Sequence, residues 1–340
     1  MERYVNIVDR LKARVLGLAL LALPVVASAG LDDNSRFAFD VSARIAHEGH
    51  SDNQDGFLFT GVDAHKVFSN ASGDVATVLF QVYAATLNDV EGHPPIFSDE
   101  NDTEITYRNL YVNFTGLTDG LMNLKIGHFE VPFGIEQMVT TNGSLRDYQH
   151  RSNLGVKADW GVSLNGQMRQ FEYEVAWQRG SGNEWETRGD PGFVAGRIGT
   201  PRHRQLTAGV SFMRGDIYRY AAPDVPLDRE RYALDLTYGW RRFEARGEVS
   251  WGQDFNEDVR NVLLEVEATS LDTSWAYYTQ LRRQEIERVD SRDRAASLSL
   301  GLKYEPNNLL ALSAEFTHDL HTFAQRGHRN LFRTQARFRF

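Results

Sequence analysis

Tyr232-Ala233-Leu234-Asp235-Leu236-Thr237-Tyr238-Gly239-Trp240 decides the fold: large apolar residues occupy every second position, and polar or small ones fall between them. A period of two is the spacing of a β-strand, whose side chains point alternately to its two faces. At Trp240-Arg241 the chain turns, and a second segment of the same kind covers 242–252. Working outward from this hairpin, the unit recurs in Phe37, Phe39, Val41, Ala43 and Ile45, in Phe171, Tyr173, Val175 and Trp177, and in Ala296, Leu298, Leu300, Leu302 and Tyr304. Sixteen segments follow, near 35–46, 57–67, 74–86, 104–114, 121–130, 154–164, 169–178, 192–199, 204–214, 230–240, 242–252, 259–269, 273–285, 293–304, 309–319 and 330–340.

The connections alternate in length. Tight turns such as Asn165-Gly166-Gln167, Thr200-Pro201-Arg202-His203 and Pro306-Asn307-Asn308 take every second place, and the others are mostly longer: 47–56, 87–103, 131–153, 179–191, 215–229 and 320–329. Strands of this spacing with short turns at one end and longer loops at the other predict an all-β fold, a transmembrane antiparallel β-barrel of 16 strands. Lipid offers backbone N–H and C=O groups no partners, so a sheet can cross a bilayer only by closing on itself. The apolar members of each strand then meet lipid, aromatic residues near strand ends form two interfacial girdles, and the polar members face a water-filled lumen too wide for side chains to fill.

Composition agrees. With 41% apolar residues and no later run approaching the roughly 20 needed for a spanning helix, the 340-residue chain is not a helical membrane protein, and with no cysteine it is not a disulfide scaffold. A formal net charge of −9 argues against nucleic acid as a partner. Arg3, Arg10, Lys12 and Arg14 precede the apolar run from Val15 to Val26, and Ala27-Ser28-Ala29 closes it as an A-x-A cleavage site. Residues 1–29 are thus expected to be an export signal peptide, and 30–340 the barrel domain. The last strand ends in Arg337-Phe338-Arg339-Phe340, and a terminal Phe after such alternation resembles the signal by which barrel-insertion machinery recognises its clients.

The connection 131–153 is long enough to fold inward and narrow the bore as a third external loop. Leu124-Lys125-Ile126-Gly127-His128-Phe129-Glu130-Val131-Pro132-Phe133-Gly134-Ile135-Glu136, with Ser144-Leu145-Arg146-Asp147 and Arg151-Ser152-Asn153-Leu154-Gly155-Val156, resembles the phosphate-selective porin O and P family over roughly 105–165. The resemblance implies a sixteen-stranded outer-membrane porin of a Gram-negative bacterium, a homotrimer in outer-membrane lipid, with this segment as strand plus constriction loop. It also implies selectivity for anions such as phosphate carried by inward Arg and Lys, of which Lys125 is the candidate within the matching segment. Pro132, fixed in φ, and Gly134, free in φ, suit an exit from the strand. Glu130, Glu136, Arg146, Asp147, His150 and Arg151 would bring both signs of charge to the narrowing, where low-dielectric walls focus their field on a passing ion.

Alternation along the strands turns Arg36, Arg44, Lys125, Lys157, Arg231, Arg246, Arg282, Lys303, Arg333, Arg337 and Arg339 inward, together with Asp40, Asp159, Glu172, Glu174, Asp235, Glu244, Glu248, Glu265, Glu267 and Glu315. Their numbers nearly cancel, whereas a strong anion filter needs a cationic surplus. Their distribution predicts a basic wall of Arg36, Arg44, Lys125, Arg333, Arg337 and Arg339, and a separate acidic wall of Glu172, Glu174, Glu244, Glu248, Glu265 and Glu267. The expected function is passive diffusion of small hydrophilic solutes or ions, with no enzymatic step and no cofactor. An adhesin or receptor barrel, or a barrel enzyme, is the alternative. His47 with His50, and His318 with His321, have metal-like spacing but sit at strand ends or in loops. Ser144, Asp147 and His150 share a loop without any sign of an oxyanion hole.

Overall fold

In the computed structural model the described residues are 33–340 apart from 50–53, 91–95, 116, 119–120, 186–188, 220–221, 223, 289–290 and 324–328. The expected signal at 1–29 and His50 therefore lie outside the described residues. Sixteen strands run in order: β1 Ser35–Glu48, β2 Gln54–Asn70, β3 Gly73–Asn88, β4 Thr103–Phe114, β5 Asn123–Glu130, β6 Ala158–Gln167, β7 Glu172–Gln178 and β8 Gly192–Gly199. They continue as β9 Leu206–Ile217, β10 Leu227–Trp240, β11 Phe243–Asp254, β12 Glu257–Thr269, β13 Trp275–Glu287, β14 Arg292–Asn307, β15 Leu310–His321 and β16 Asn330–Arg339. Each pairs antiparallel with its sequence neighbours, and β1 pairs with β16, with Ala43 opposite Ala336, to close the barrel.

Closure gives every strand two partners, so the strand ladders leave no open edge in the ring. The outer face is apolar: Val210 on β9, Leu234 on β10, Leu264 on β12 and Leu300 on β14 are each about half exposed. In water such a surface would be costly, because apolar area left solvated forfeits about 25 cal/mol per Å². Stacked aromatic pairs rim the short-turn end, with Trp240 on Phe243 (6.0 Å) and Trp275 on Tyr304 (4.3 Å), while Tyr232 and Trp251 (6.3 Å) stand nearer the loop end. Polar side chains fill the inner face, where Ser163, Gln178, Gln280, Ser299 and Glu315 are buried.

Two features depart from simple alternation. The sixth segment, expected to start at 154, begins as a strand only at Ala158; His150–Leu154 is instead a short helix, α1, ended by Gly155 at φ +86°. The inner face is also not uniformly polar. Phe193, Ala195, Met213, Ile217 and Ala233 on β8–β10 point away from the exposed set and form a buried apolar cluster with Val131, Phe133, Leu154 and Val156. Near the loop end of β2 and β3, Phe57, Phe59, Ala85 and Leu87 pack with Val90, Ile96 and Phe97.

Candidate functional site

The segment between β5 and β6 holds seven of the eight residues expected at the constriction, and Glu130 ends β5. It leaves the ladder at Val131-Pro132, where Pro132 has no N–H to leave unpaired. Phe133 N donates to Val131 O (2.8 Å), and Gly134 takes φ +55°. A Cβ at Gly134 would stand 2.0 Å from a Glu248 carboxylate oxygen, so only glycine fits both the angle and the space. Gly134 N donates to Ser211 Oγ on β9 (2.9 Å) and Ile135 N to Glu248 on β11 (2.7 Å). Beyond a 3-10 turn, Glu136–Met138, the chain meets β4 through Arg108 and Thr141 (2.9 Å), and β3 through Asn142 and the Tyr83 hydroxyl (2.7 Å).

Four consecutive carbonyls then accept from the seam of the barrel. Arg337 donates to Asn142 O (2.8 Å), Gln335 to Gly143 O (2.7 Å), Arg44 to Ser144 O (3.1 Å) and Arg333 to Leu145 O (2.9 Å). Next, Arg146 pairs with Glu267 (2.6 Å) and Glu265 (3.4 Å) on β12 and lies over the Tyr278 ring of β13, and Arg282 of β13 donates to Asp147 (2.6 Å). In α1, Asn153 donates to Ser250 on β11 (2.8 Å) and accepts from Arg231 on β10 (3.0 Å) and Asn261 on β12 (2.8 Å). The segment therefore has partners on opposite sides of the ring.

The remaining loop candidates stand as follows. Glu130 pairs with Arg108 (3.1 Å). Glu136 is buried, pairs with Lys157 (2.5 Å) and accepts from His150 N (3.1 Å). The His150 ring, 1% exposed, has no hydrogen bond at either nitrogen. Burial holds its basicity below the ordinary value; Glu136, 3.6 Å away, opposes the shift, and Lys157 reinforces it. Burial, helped by Glu265, pushes the Tyr148 hydroxyl up to about 12. Arg151 is exposed and borders a cavity of about 540 Å³ also lined by Asp40, Arg44, Arg108, Glu130 and Lys157. A second cavity of about 620 Å³ lies beside Asp147, Arg282, Thr317 and Arg333.

The structure places members of the two expected walls in ion pairs. Lys125 joins Glu174 (2.7 Å) across β5 and β7, with Tyr111 and Phe129 rings beneath it. Arg333 pairs with Glu315, Arg337 with Asp40, and Arg339 with Asp63 (2.9 Å). Arg246 gathers Glu244, Glu265 and Glu267, and Glu172 meets Arg202 (3.0 Å) and Arg197 (3.9 Å). Arg44 bonds to Gln335 and the Ser144 carbonyl and lies over Phe59. Arg36 is exposed at the start of β1.

Several residues of the site escaped sequence reading. Arg197, whose two bonds to Asp235 (2.9 and 2.7 Å) tie β8 to β10, was signalled only by the outward Val194 and Ile198 around it. Asn142, Asn153 and Gln335 carry no charge to flag them. Among the described residues, which exclude His50, no group of three or more His, Asp or Glu side chains could hold a metal, and His318 Nδ1 meets Asn330 (2.7 Å). Ser144, Asp147 and His150 do not hydrogen-bond through their side chains to one another; Arg146 N donates to Ser144 Oγ (3.1 Å) and Arg282 holds Asp147.

No protein-family model matches the chain, and no curated protein does. Solved structures do. An anion-selective porin from Comamonas acidovorans superposes with a TM-score of 0.64 at 12% identity, over 90% of this chain and 99% of that one. OmpT of Vibrio cholerae, an outer membrane protein in its trimer form, gives 0.64 at 11% identity over 90% and 99%. OmpF of Salmonella typhi in complex with daunomycin gives 0.67 at 9% identity over 90% and 97%. At such identities the likeness establishes a shared fold, that of a closed outer-membrane barrel.

Proposed function

We propose that the chain is a porin of a Gram-negative outer membrane, exported by the segment 1–29 and inserted by barrel-assembly machinery through its terminal strand. In this reading the outer apolar face meets lipid, and the 131–157 segment folds into the bore as its constriction. Small hydrophilic solutes and ions diffuse past it down their gradients, so neither a cofactor nor a covalent step is required. The observation that carries the proposal is the set of bonds from 131–157 to β1, β9, β11, β12, β13 and β16 inside a ring whose outer surface is apolar.

Selectivity follows from pairing. A fixed charge whose counter-charge is a few ångströms away projects little field into water, so the paired lumen charges favour weak discrimination between anions and cations. Arg44, bonded to an amide and a carbonyl, supports a mild anion preference, and the anion-selective neighbour agrees in direction. A phosphate-preferring pore of the porin O and P type is the finer form of this reading. A homotrimer is proposed by analogy with the trimer form of OmpT. Single-channel recording in planar bilayers tests the function: ohmic steps with a reversal potential displaced slightly toward anion preference in a salt gradient support it, and a folded barrel that carries no current refutes it. Competition by phosphate would separate the finer reading from the general one.

A further inference from the structure

On β12–β14 the outward face changes character over two rows. Leu264, Leu281 and Leu298 share one row of the apolar belt, the next outward row toward the loop end holds Arg283, and the row beyond it holds Arg260, Glu285 and Arg294. Cross-strand register aligns Arg260 with Glu285 and Glu285 with Arg294, and sets Arg283 between Val262 and Ala296. On β10 and β11 the level of Arg260 is occupied by Tyr232 and Trp251 instead. Three guanidiniums share one carboxylate: Arg283 pairs with Glu285, as do Arg292 (2.8 Å) and Arg294 (3.2 Å). All three stay 41–51% exposed, whereas Glu285 is 10% exposed, its oxygens already taken. Arg260 forms no ion pair among the described residues. Asp258 and Glu287 stand one row further from the belt, beside Arg292, so the cationic surplus lies in the two rows nearest the belt.

We infer that this patch is a binding site for the phosphate groups of an anionic glycolipid in the leaflet at the loop end. The inference rests on the reading that the outer face meets lipid. Cations on a lipid-facing wall are tolerated only at the headgroup level, and there they need an anion. Guanidiniums present paired donors that match phosphate oxygens, and spare donors remain on each of these groups because one carboxylate cannot satisfy three of them. Leu281 and Leu298 directly below supply contact for the acyl chains of the same molecule. Tyr232 and Trp251, beside Arg260, continue the interfacial level around the wall.

Native mass spectrometry of the full barrel released from a neutral detergent tests the site with three probes: a bisphosphorylated glycolipid, its dephosphorylated form with identical acyl chains, and inorganic phosphate. The bisphosphorylated lipid is expected to be retained, and the variant with Arg260, Arg283, Arg292 and Arg294 all changed to Gln to bind it about tenfold more weakly or less. Glu285→Gln, which removes the competing carboxylate, is expected to bind it more tightly, a gain that misfolding cannot mimic. Equal retention of both lipids, equal binding of free phosphate, or unchanged retention by the quadruple variant overturns the inference. Conductance of the same preparations separates the two readings: a conducting porin without lipid preference sinks only the lipid site, and a lipid-binding barrel without current sinks only the channel.

Discussion

The two halves of the 131–157 segment are held by different physics. Val131, Phe133, Leu154 and Val156 are fixed by burial against Phe193, Met213 and Ile217, a contact that needs no particular donor and does not weaken with salt. Residues 142–147 are held mainly by side chains of the wall reaching for main-chain carbonyls and by ion pairs, contacts that water can replace at modest cost, with smaller apolar contacts where Leu145 is buried and where Tyr148 packs with Ile135 and Leu263. The segment is thus an apolar anchor carrying a polar span, and a disturbance should free the span before the anchor.

The largest effect expected is from the anchor. Phe133→Ala should cost about 3–5 kcal/mol, the usual result of emptying a fully buried aromatic site, read as a lower temperature for loss of the folded band on unheated gels and as noisy current. An undiminished melting temperature would mean that the anchor does not hold the segment. Gly134→Ala should cost about 1–3 kcal/mol by forcing a Cβ onto Glu248 and a side-chain-bearing residue into positive φ. Its expected signature is altered gating, because Ile135 N loses its carboxylate partner if Glu248 moves.

The span should respond more gently. Gln335→Ala removes the donor to the Gly143 carbonyl and the acceptor of Arg44 and should cost about 2 kcal/mol, raising open-channel noise while leaving the melting temperature within several degrees. A loss as large as that of Phe133→Ala would abolish the distinction between the halves. The smallest effect expected is a pH response. His150 is less basic folded than unfolded, so the unfolded chain binds more protons, and stability present above about 6.5 is lost as pH falls below it. His150→Gln should flatten that acid limb of the segment's stability, measured by proteolysis of the loop across the same pH range.

The strands were legible because period two survives in a lipid-facing wall, and all sixteen segments appear with ends displaced by four residues or fewer. The start of β6 was misplaced because Leu154 and Val156 alternate as a strand would, although both serve the anchor. The anchor's other side was hidden for a related reason. In Phe193-Val194-Ala195 both faces are apolar, so alternation cannot say which set turns inward. Counting along the strands offers candidates for the inward charges but not their partners: Lys125 finds Glu174 two strands away, and Arg197 finds Asp235, through the curvature of the ring. Register is a tertiary property, set by how the sheet closes.

The central claim, that 131–157 lies in the path of solutes, can be tested with one thiol, since the chain has no cysteine. Arg151→Cys places it on an exposed position of α1 beside the 540 Å³ cavity. Adding a bulky, charged thiol reagent to single open channels should reduce the current stepwise, and a reductant should restore it. Complete labelling with no change in current would contradict the account.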